Sequence, residues 1–275
     1  MVVMQRERAK FWLARDFDDM EMLRATYFKH RYVPHFHEEY AIGIMERGEE
    51  GFAYRRRDDW TAPEGTICAI NPGEVHTGHA TSKAGWTYRM FYPKVSVIMR
   101  ALAGVIPETD QLPVFSKPIF HDDALFHQMR HLHETLEFSD DPMEREAATL
   151  STFATLILRH ADFKARSNTE PDNPKAVQQA KAYIHANYMR NITLQELATV
   201  THMSPYHLNR LFSQQIGLPP HAYLNQIRVD RARALLGEGM PIAEVAVHTG
   251  FSDQSHLTRR FKRVAGITPG RYAPA

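Results

Sequence analysis

Two stretches of this chain repeat one another. "LATVTHMSPYHLNRLFSQQIG", residues 197–217, and "VAVHTGFSDQSHLTRRFKRVAG", residues 245–266, align at an offset of 48, which becomes 49 after one inserted residue. At the first offset Glu196 matches Glu244, Ala198 matches Ala246, Thr201 matches Thr249 and Ser204 matches Ser252. At the second, His207, Leu208, Arg210, Phe212, Gly217, Pro220 and Tyr223 match His256, Leu257, Arg259, Phe261, Gly266, Pro269 and Tyr272. A fold for this chain must hold the same short helical hairpin twice.

Each copy reads as a helix, a sharp turn and a second helix. Thr193 and Glu196 have the spacing of a capping box for the leading helix. Ala198 and Ala246 are small enough for two helices to cross closely. Gly250 enters the left-handed region freely, and His202 stands at the equivalent position. Ser204 and Ser252 are expected to cap the following helices, with Pro205 setting the first turn of its helix. On those helices Leu208, Leu211 and Phe212, and then Leu257, Phe261 and Val264, form the buried stripes. Pro205, Tyr206, Asn209, Arg210 and Ser213 are left outward in the first copy. Asp253, Gln254, Ser255, Thr258, Arg259 and Lys262 are left outward in the second.

These are residue types that a major groove selects. Arginine grips guanine edges in a fork, Asn and Gln pair with adenine, and Thr or an aromatic ring meets the thymine methyl. The competing reading is an all-helical domain whose outer faces are merely polar, with Arg210 and Arg259 in surface ion pairs. The duplication, the matched arginines and the charge balance together argue against it. From Lys175 to the last residue there are 12 Lys+Arg against 5 Asp+Glu, while residues 1–174 hold 21 against 27, so a net charge of +1 hides a basic half suited to a polyanion. The intervening "AYLNQIRVDRARALL" is then a spacer helix placing two reading helices on successive major-groove faces ~34 Å apart.

The first half is of a different kind. Up to about residue 115 apolar and polar positions alternate between the turn signals "ERGEEG", "APEG", "NPGE" and "SKAG", which predicts short strands in a sandwich or small barrel. From His121 the period becomes helical through Leu125, Phe126, Met129, Leu132 and Leu136. A second helix starts with Asp141 as N-cap, Pro142 in the first turn and Glu144 completing a capping box, and runs through Leu150, Phe153, Ile157 and Leu158. Residues 164–175, "KARSNTEPDNPK", read as an interdomain linker. The single cysteine, Cys68, excludes a disulfide framework and suits a reducing compartment. The charged start and the lack of a ~20-residue apolar run point to a cytoplasmic protein without a membrane span.

The span from about Val177 to Tyr272, above all "HTGFSDQSHLTRRFKRVAGITPGRY", resembles the DNA-binding domain of the AraC/XylS family of bacterial transcription regulators. By that resemblance Tyr206, Asn209 and Arg210 of the first unit, and Gln254, Ser255, Thr258 and Arg259 of the second, occupy base-reading positions. "RYVPHFHEEYAIGIMERGEEGF" and "APEGTICAINPGEVHTGH" resemble that family's cupin-like sensor over roughly residues 10–115. His35, His37 and His76 match the histidines of a metal-binding cupin. Ala41 stands where its glutamate belongs, and Glu38 and Glu39 are out of register with it. Three imidazoles alone could hold zinc with one open position, but the expectation here is no metal and no cofactor. Strand parity puts His35, His37 and Glu39 on one face and Trp86, Tyr88 and Met90 on one face. If both point into the barrel they line, with His76, a pocket for a small organic effector. Arg89 would then face outward or toward the other domain.

The expected fold is therefore α+β and multidomain. Residues 1–163 form a cupin-like effector-binding and dimerisation domain, with a barrel over about 10–115 and helices over about 121–163. Residues 164–175 link it to an all-α domain, 176–275, of two helix-turn-helix units joined by a linker helix. The expected function is a sequence-specific DNA-binding regulator, an activator, controlled by a small molecule and not an enzyme. Its partners would be double-stranded DNA, a second copy in a homodimer and RNA polymerase, with no membrane. Two alternatives remain: a barrel that only dimerises, and a metal-dependent cupin enzyme fused to a DNA-binding domain.

Overall fold

The structure, a computed structural model, describes residues 7–55, 57–103, 111–163 and 174–272. They group into two compact units, 1–31, 36–74 and 78–167 in one and 32–35, 75–77 and 168–275 in the other.

The sheet contains β1 (Arg8–Ala14), β2 (Met20–Tyr27), β3 (Arg31–His35), β4 (Ala41–Tyr54), β5 (Arg57–Pro63), β6 (Ile67–Ile70), β7 (His76–Ala80), β8 (Trp86–Tyr92) and β9 (Ile119–Phe120). Its main order is β1-β2-β8-β4-β6-β9, with β5 on β4 and β7 on both β3 and β4. The first half of β4 lies between β6 and β8, and its second half pairs with β5.

The sequence "ERGEEG", expected as a turn, lies inside β4. The register against β8 slips between Met45 and Arg47, and Gly48 beside the slip has φ +74°. A side chain there would also come within 2.1 Å of the Gly85 carbonyl oxygen. A bulge absorbs an extra residue and bends the strand without ending it. The other three turn signals contain Gly65, Gly73 and Gly85, all left-handed as a tight turn requires.

The two faces of the sheet have different duties. Met20, Met22, Ile42, Ile44, Ile67, Ala69 and Phe91 form one buried core with residues of α1 (Val95–Ala103), α2 (Asp123–Phe138) and α3 (Pro142–His160). Side chains alternate along a strand, so the residues between these face away from the helices, on what we term the inner face. Helix α1 falls in a region expected to hold strands. Its Val97, Ile98, Ala101 and Leu102 are buried at helical spacing.

Asp122 caps α2 and Asp141 caps α3, with Pro142 in the first turn as expected. The expected box does not close, because the Glu144 carboxylate accepts from the Ser139 hydroxyl instead of the cap backbone. Leu125, Met129, Leu132 and Leu136 are buried as the stripe predicted, as are Phe153 and Ile157. Leu158 is instead 55% exposed, because it lies one helical step beyond Ile157, and Leu156 is buried.

The second unit contains α4 (Pro174–Asn187), α5 (Leu194–Val200), α6 (Pro205–Ile216), α7 (Pro220–Gly237), α8 (Ile242–His248), α9 (Gln254–Ala265) and α10 (Pro269–Tyr272). Of the expected linker, residues 164–173 lie outside the described residues, and its last two positions belong to α4. No helix among the described residues is long and apolar enough to cross a membrane.

Candidate nucleic-acid interface and effector pocket

The sequence repeat is also a repeat of contacts. Thr201 and Thr249 are buried and donate their hydroxyls back to the carbonyls of Leu197 and Val245 at 2.9 and 2.6 Å, each tying off the leading helix of its hairpin. Phe212 meets Tyr223 edge to face at 5.4 Å and 76°, and Phe261 meets Tyr272 at 5.3 Å and 76°. Ala198 and Ala246 are buried. Gly217 and Gly266 end α6 and α9 in the left-handed conformation.

The turns show why the copies differ where they do. The backbone is left-handed at both His202 (φ +54°) and Gly250 (φ +76°). At Gly250 a Cβ would also fall 2.5 Å from the Met189 carbonyl oxygen, so this turn needs glycine for space as well as for conformation. The capping box of Thr193 with Glu196 is closed at the start of α5. Glu196 also accepts from Tyr183 at 2.6 Å and pairs with Arg190, which holds its carboxyl below the usual range.

Ser204 caps α6 by accepting from the His207 amide. Ser252, expected to cap α9, does not. The cap is Asp253, which accepts from the His256 amide at 2.7 Å while Ser252 donates its hydroxyl to the Asp253 carboxylate. The inserted residue that changes the offset lies in this turn and moves the cap one place along. Asp253, expected among the outward groups, thus spends its carboxylate on the helix end.

Leu208, Leu211 and Phe212, and Leu257, Phe261 and Val264, are buried as the stripes predicted. Tyr206, Asn209 and Arg210 of α6 are exposed, Tyr206 to 79%, as are Gln254, Ser255 and Arg259 of α9. Thr258, Pro205 and Ser213 are half-buried. Neither Arg210 nor Arg259 forms an ion pair or hydrogen bond with any described residue, unlike Arg190 and Arg228, which are held by Glu196 and by the carbonyls of Tyr188 and Arg190. Lys262 and Arg263 extend the exposed basic face of α9. The helical unit also has a small pocket of about 70 Å³ beside Asn209, lined by Ile184, Leu197 and Leu224. That is too small for an ordinary organic ligand.

On the sheet, the register sets Tyr27 opposite Trp86, Ala25 opposite Tyr88 and Leu23 opposite Met90. It sets Gly48, Met45 and Gly43 opposite the same three on the other side. All lie on the inner face. Trp86 and Tyr88 are buried and stack at 6.0 Å and 14°, and Tyr27 packs against both at 5.4 and 6.1 Å. Tyr27 escaped the sequence analysis because its partners lie some 60 residues away. Arg89 does not face solvent. It is buried against α2, hydrogen-bonded to Glu46 at 2.8 Å and to His133 at 3.2 Å.

The ligand atoms of His35, His37 and His76 all lie within 4.8 Å of one another. His35 packs against His76 at 4.3 Å with the rings tilted by 50° and directs Nδ1 at the Val33 carbonyl oxygen at 2.8 Å, and His37 lies 4.8 Å from Tyr92. His35 and His37 come together as expected, but strand parity does not extend to Glu39, because β3 ends at His35 and Glu38 and Glu39 form a bend. Glu39 is not among the clustered ligand groups. Ala41, in place of the cupin glutamate, is buried and has no ligand atom to give.

Comparisons with known proteins agree with this division. Residues 19–153 match the family described as "AraC-like ligand binding domain", and residues 197–274 match "Helix-turn-helix domain". The chain is 29% identical over 86% of its length, and 86% of the relative's, to the uncharacterized HTH-type transcriptional regulator YbfI of Bacillus subtilis. It is 30% identical to the probable transcriptional regulator LumQ of Photobacterium leiognathi, covering 64% of this chain and 70% of that one. It is 25% identical to the HTH-type transcriptional activator RhaS of Klebsiella pneumoniae, covering 86% and 85%. Among solved structures it has the fold of unsaturated fatty acid bound ToxT from Vibrio cholerae, with a TM-score of 0.57 at 13% identity over 97% of this chain and 93% of that one.

Proposed function

From the premise that this chain belongs to the AraC family of transcriptional regulators, with a ligand-binding domain and a helix-turn-helix DNA-binding domain, we propose that it is an activator reading an asymmetric DNA site with two helices. The observation that carries this is the pair of exposed arginines, Arg210 and Arg259, at matched positions of duplicate helices and without an ion pair or hydrogen bond among the described residues. With them we assign base reading to Tyr206 and Asn209 on α6 and to Gln254, Ser255 and Thr258 on α9. Lys262 and Arg263 suit phosphate contacts. Helix α7, with 18 residues and hence about 27 Å long, is of the length needed to hold two readers on successive groove segments.

A small molecule, in this reading, occupies the inner face of the sheet beside Trp86, Tyr88 and Met90, with His35, His37 and His76 as further contacts. It favours one arrangement of the two units over another, since a ligand with equal affinity for both would shift nothing. Helices α2 and α3, which expose Phe138, Met143 and Leu158, supply the homodimer contact. RhaS, by its name an activator, supports activation and so a contact with RNA polymerase. The relatives are regulators, which favours a binding protein over a cupin enzyme.

Footprinting with Arg210→Ala and Arg259→Ala tests the assignment. Each should cost about 1–3 kcal/mol on the cognate site and relax the preference at one base position. Unchanged affinity and preference in both would sink it. Stoichiometric metal in protein purified without added metal, lost in His37→Ala, would favour the enzyme.

A further inference from the structure

The backbone holds each of His35, His37 and His76 in place. Strand β3, which ends at His35, pairs with β7, which begins at His76. The Gly73 amide donates to the His37 carbonyl oxygen at 2.7 Å, which fixes the chain just beyond β3. From these anchored positions the three side chains converge. Their ligand atoms all lie within 4.8 Å of one another, so one point is no farther than about 2.8 Å from each, against ~2.0–2.1 Å for a bond from zinc to imidazole. Small rotations of the rings close that difference.

The donors also have the chemistry of metal ligands. Nδ1 of His35 lies 2.8 Å from the Val33 carbonyl oxygen. A neutral ring that donates its proton there leaves the lone pair on Nε2, and a carbonyl behind a histidine orients a metal ligand in this way. His35 and His37 are buried, while half-buried His76 keeps one member of the cluster in reach of solvent. No carboxylate joins the cluster among the described residues. Glu74, two positions before His76, is instead engaged by Tyr54, Asn71 and Arg55. Imidazoles suit zinc, cobalt and nickel, whereas magnesium and calcium take oxygen ligands. Without an anionic ligand to offset its charge, an ion is held less firmly than in a mixed site.

We propose that His35, His37 and His76 bind one divalent transition-metal ion of the zinc class, reversibly, with the fourth position left to water. Alanine at position 41 led the sequence to an expectation of no metal, and the convergence of three imidazoles without that carboxylate points the other way. The proposal goes beyond the reading of the DNA-binding helices and stands or falls apart from it. It differs from the enzyme alternative too, since an enzyme's metal stays bound through purification and this ion comes and goes with its concentration.

The test uses the full chain without a histidine tag, stripped with chelator, and metal ions alone as probes. Zinc titrated against a chromophoric chelator should give one ion per chain and raise the melting temperature, and magnesium or calcium in large excess should do neither. Cobalt should bind with the strong visible absorption of four-coordinate geometry. His35→Ala, His37→Ala and His76→Ala should each weaken zinc binding at least tenfold. His76→Cys should retain it and add a charge-transfer band from thiolate to cobalt. Exposed His127 and His131, one helical turn apart on α2, are the control, and replacing both with alanine should leave zinc binding unchanged. If variants at the buried positions do not fold, His76→Ala and His76→Cys still decide. No zinc uptake by the unaltered chain, undiminished uptake in His76→Ala, or its loss when His127 and His131 are replaced would overturn the proposal. Zinc held stoichiometrically through purification would overturn reversible binding in favour of the enzyme.

Discussion

Arg89 donates through Nη1 to Nδ1 of His133 at 3.2 Å, and the opposite ring nitrogen of His133 lies 3.3 Å from the Leu23 carbonyl oxygen. Only a neutral imidazole with its proton on Nε2 accepts from a guanidinium on one side and donates to a carbonyl on the other. His133 is fully buried, and burial first and the Arg89 charge second push its pKa down to about 3. Glu46, Glu134 and Glu137 take the remaining Arg89 charge at 2.8, 3.5 and 3.7 Å. A sheet strand is thereby joined to α2 through a polar network within an apolar core.

Acid should weaken this junction. The unfolded chain protonates His133 near pH 6.5, while the folded chain resists until about 3. The stability that the depressed pKa represents is present above about 6.5 and is lost as pH falls toward 3, by at most ~1.4 kcal/mol per unit. His133→Gln, which retains a donor and an acceptor, should flatten the loss between pH 7 and 5, above the ordinary carboxylate range. Chemical denaturation of both proteins across that range checks it. Equal slopes would refute the linkage.

Glu50 should behave with the opposite sign. Its folded pKa, about 8, lies above its unfolded value, so its contribution is fully present below about 4.5 and is lost as pH rises through 8. Glu50→Gln removes that loss. The variant should melt with the parent at pH 4.5 and above it at pH 8, without added ligand. A gap that does not depend on pH would mean the carboxyl is solvated.

Gly250→Ala should destabilise the DNA-binding unit by roughly 2–4 kcal/mol. It adds left-handed strain to a Cβ 2.5 Å from a main-chain oxygen. His202→Ala, at the matched turn where a side chain is already tolerated, should cost well under half as much. Thermal unfolding of both variants distinguishes a spatial need for glycine from a purely conformational one.

The caps can be separated in the same way. Asp253→Ala should cost about 1 kcal/mol, as loss of an N-cap does. Ser252→Ala, which removes only a hydroxyl donated to that carboxylate, should cost a few tenths. Equal losses would return the cap to Ser252.

Local features of this protein could be read from its sequence, because the interactions that fix them span a few residues. The box at Thr193 and Glu196, the left-handed turns at His202 and Gly250 and the buried stripes of α6 and α9 all depend on spacings within one or two helical turns. The duplication then revealed one hairpin through the other, and the matched arginines followed from it. Even there a single inserted residue moved a cap from Ser252 to Asp253, since equivalence in an alignment does not fix where a turn ends.

The sheet was less legible. Which face Trp86 and Tyr88 share with Tyr27, where "ERGEEG" continues as strand and which way Arg89 turns depend on pairings between residues far apart in sequence. A one-residue slip in such a pairing exchanges the two faces of the strand. Glu50 is the clearest case. In sequence it is one of several acidic residues in a hydrophilic stretch, and the bulge at Gly48 puts it on the inner face. The sequence determined the helix-turn-helix pair, because helix geometry is local. Only the tertiary structure decided which side chains the sheet encloses, because strand register is a relation between distant segments.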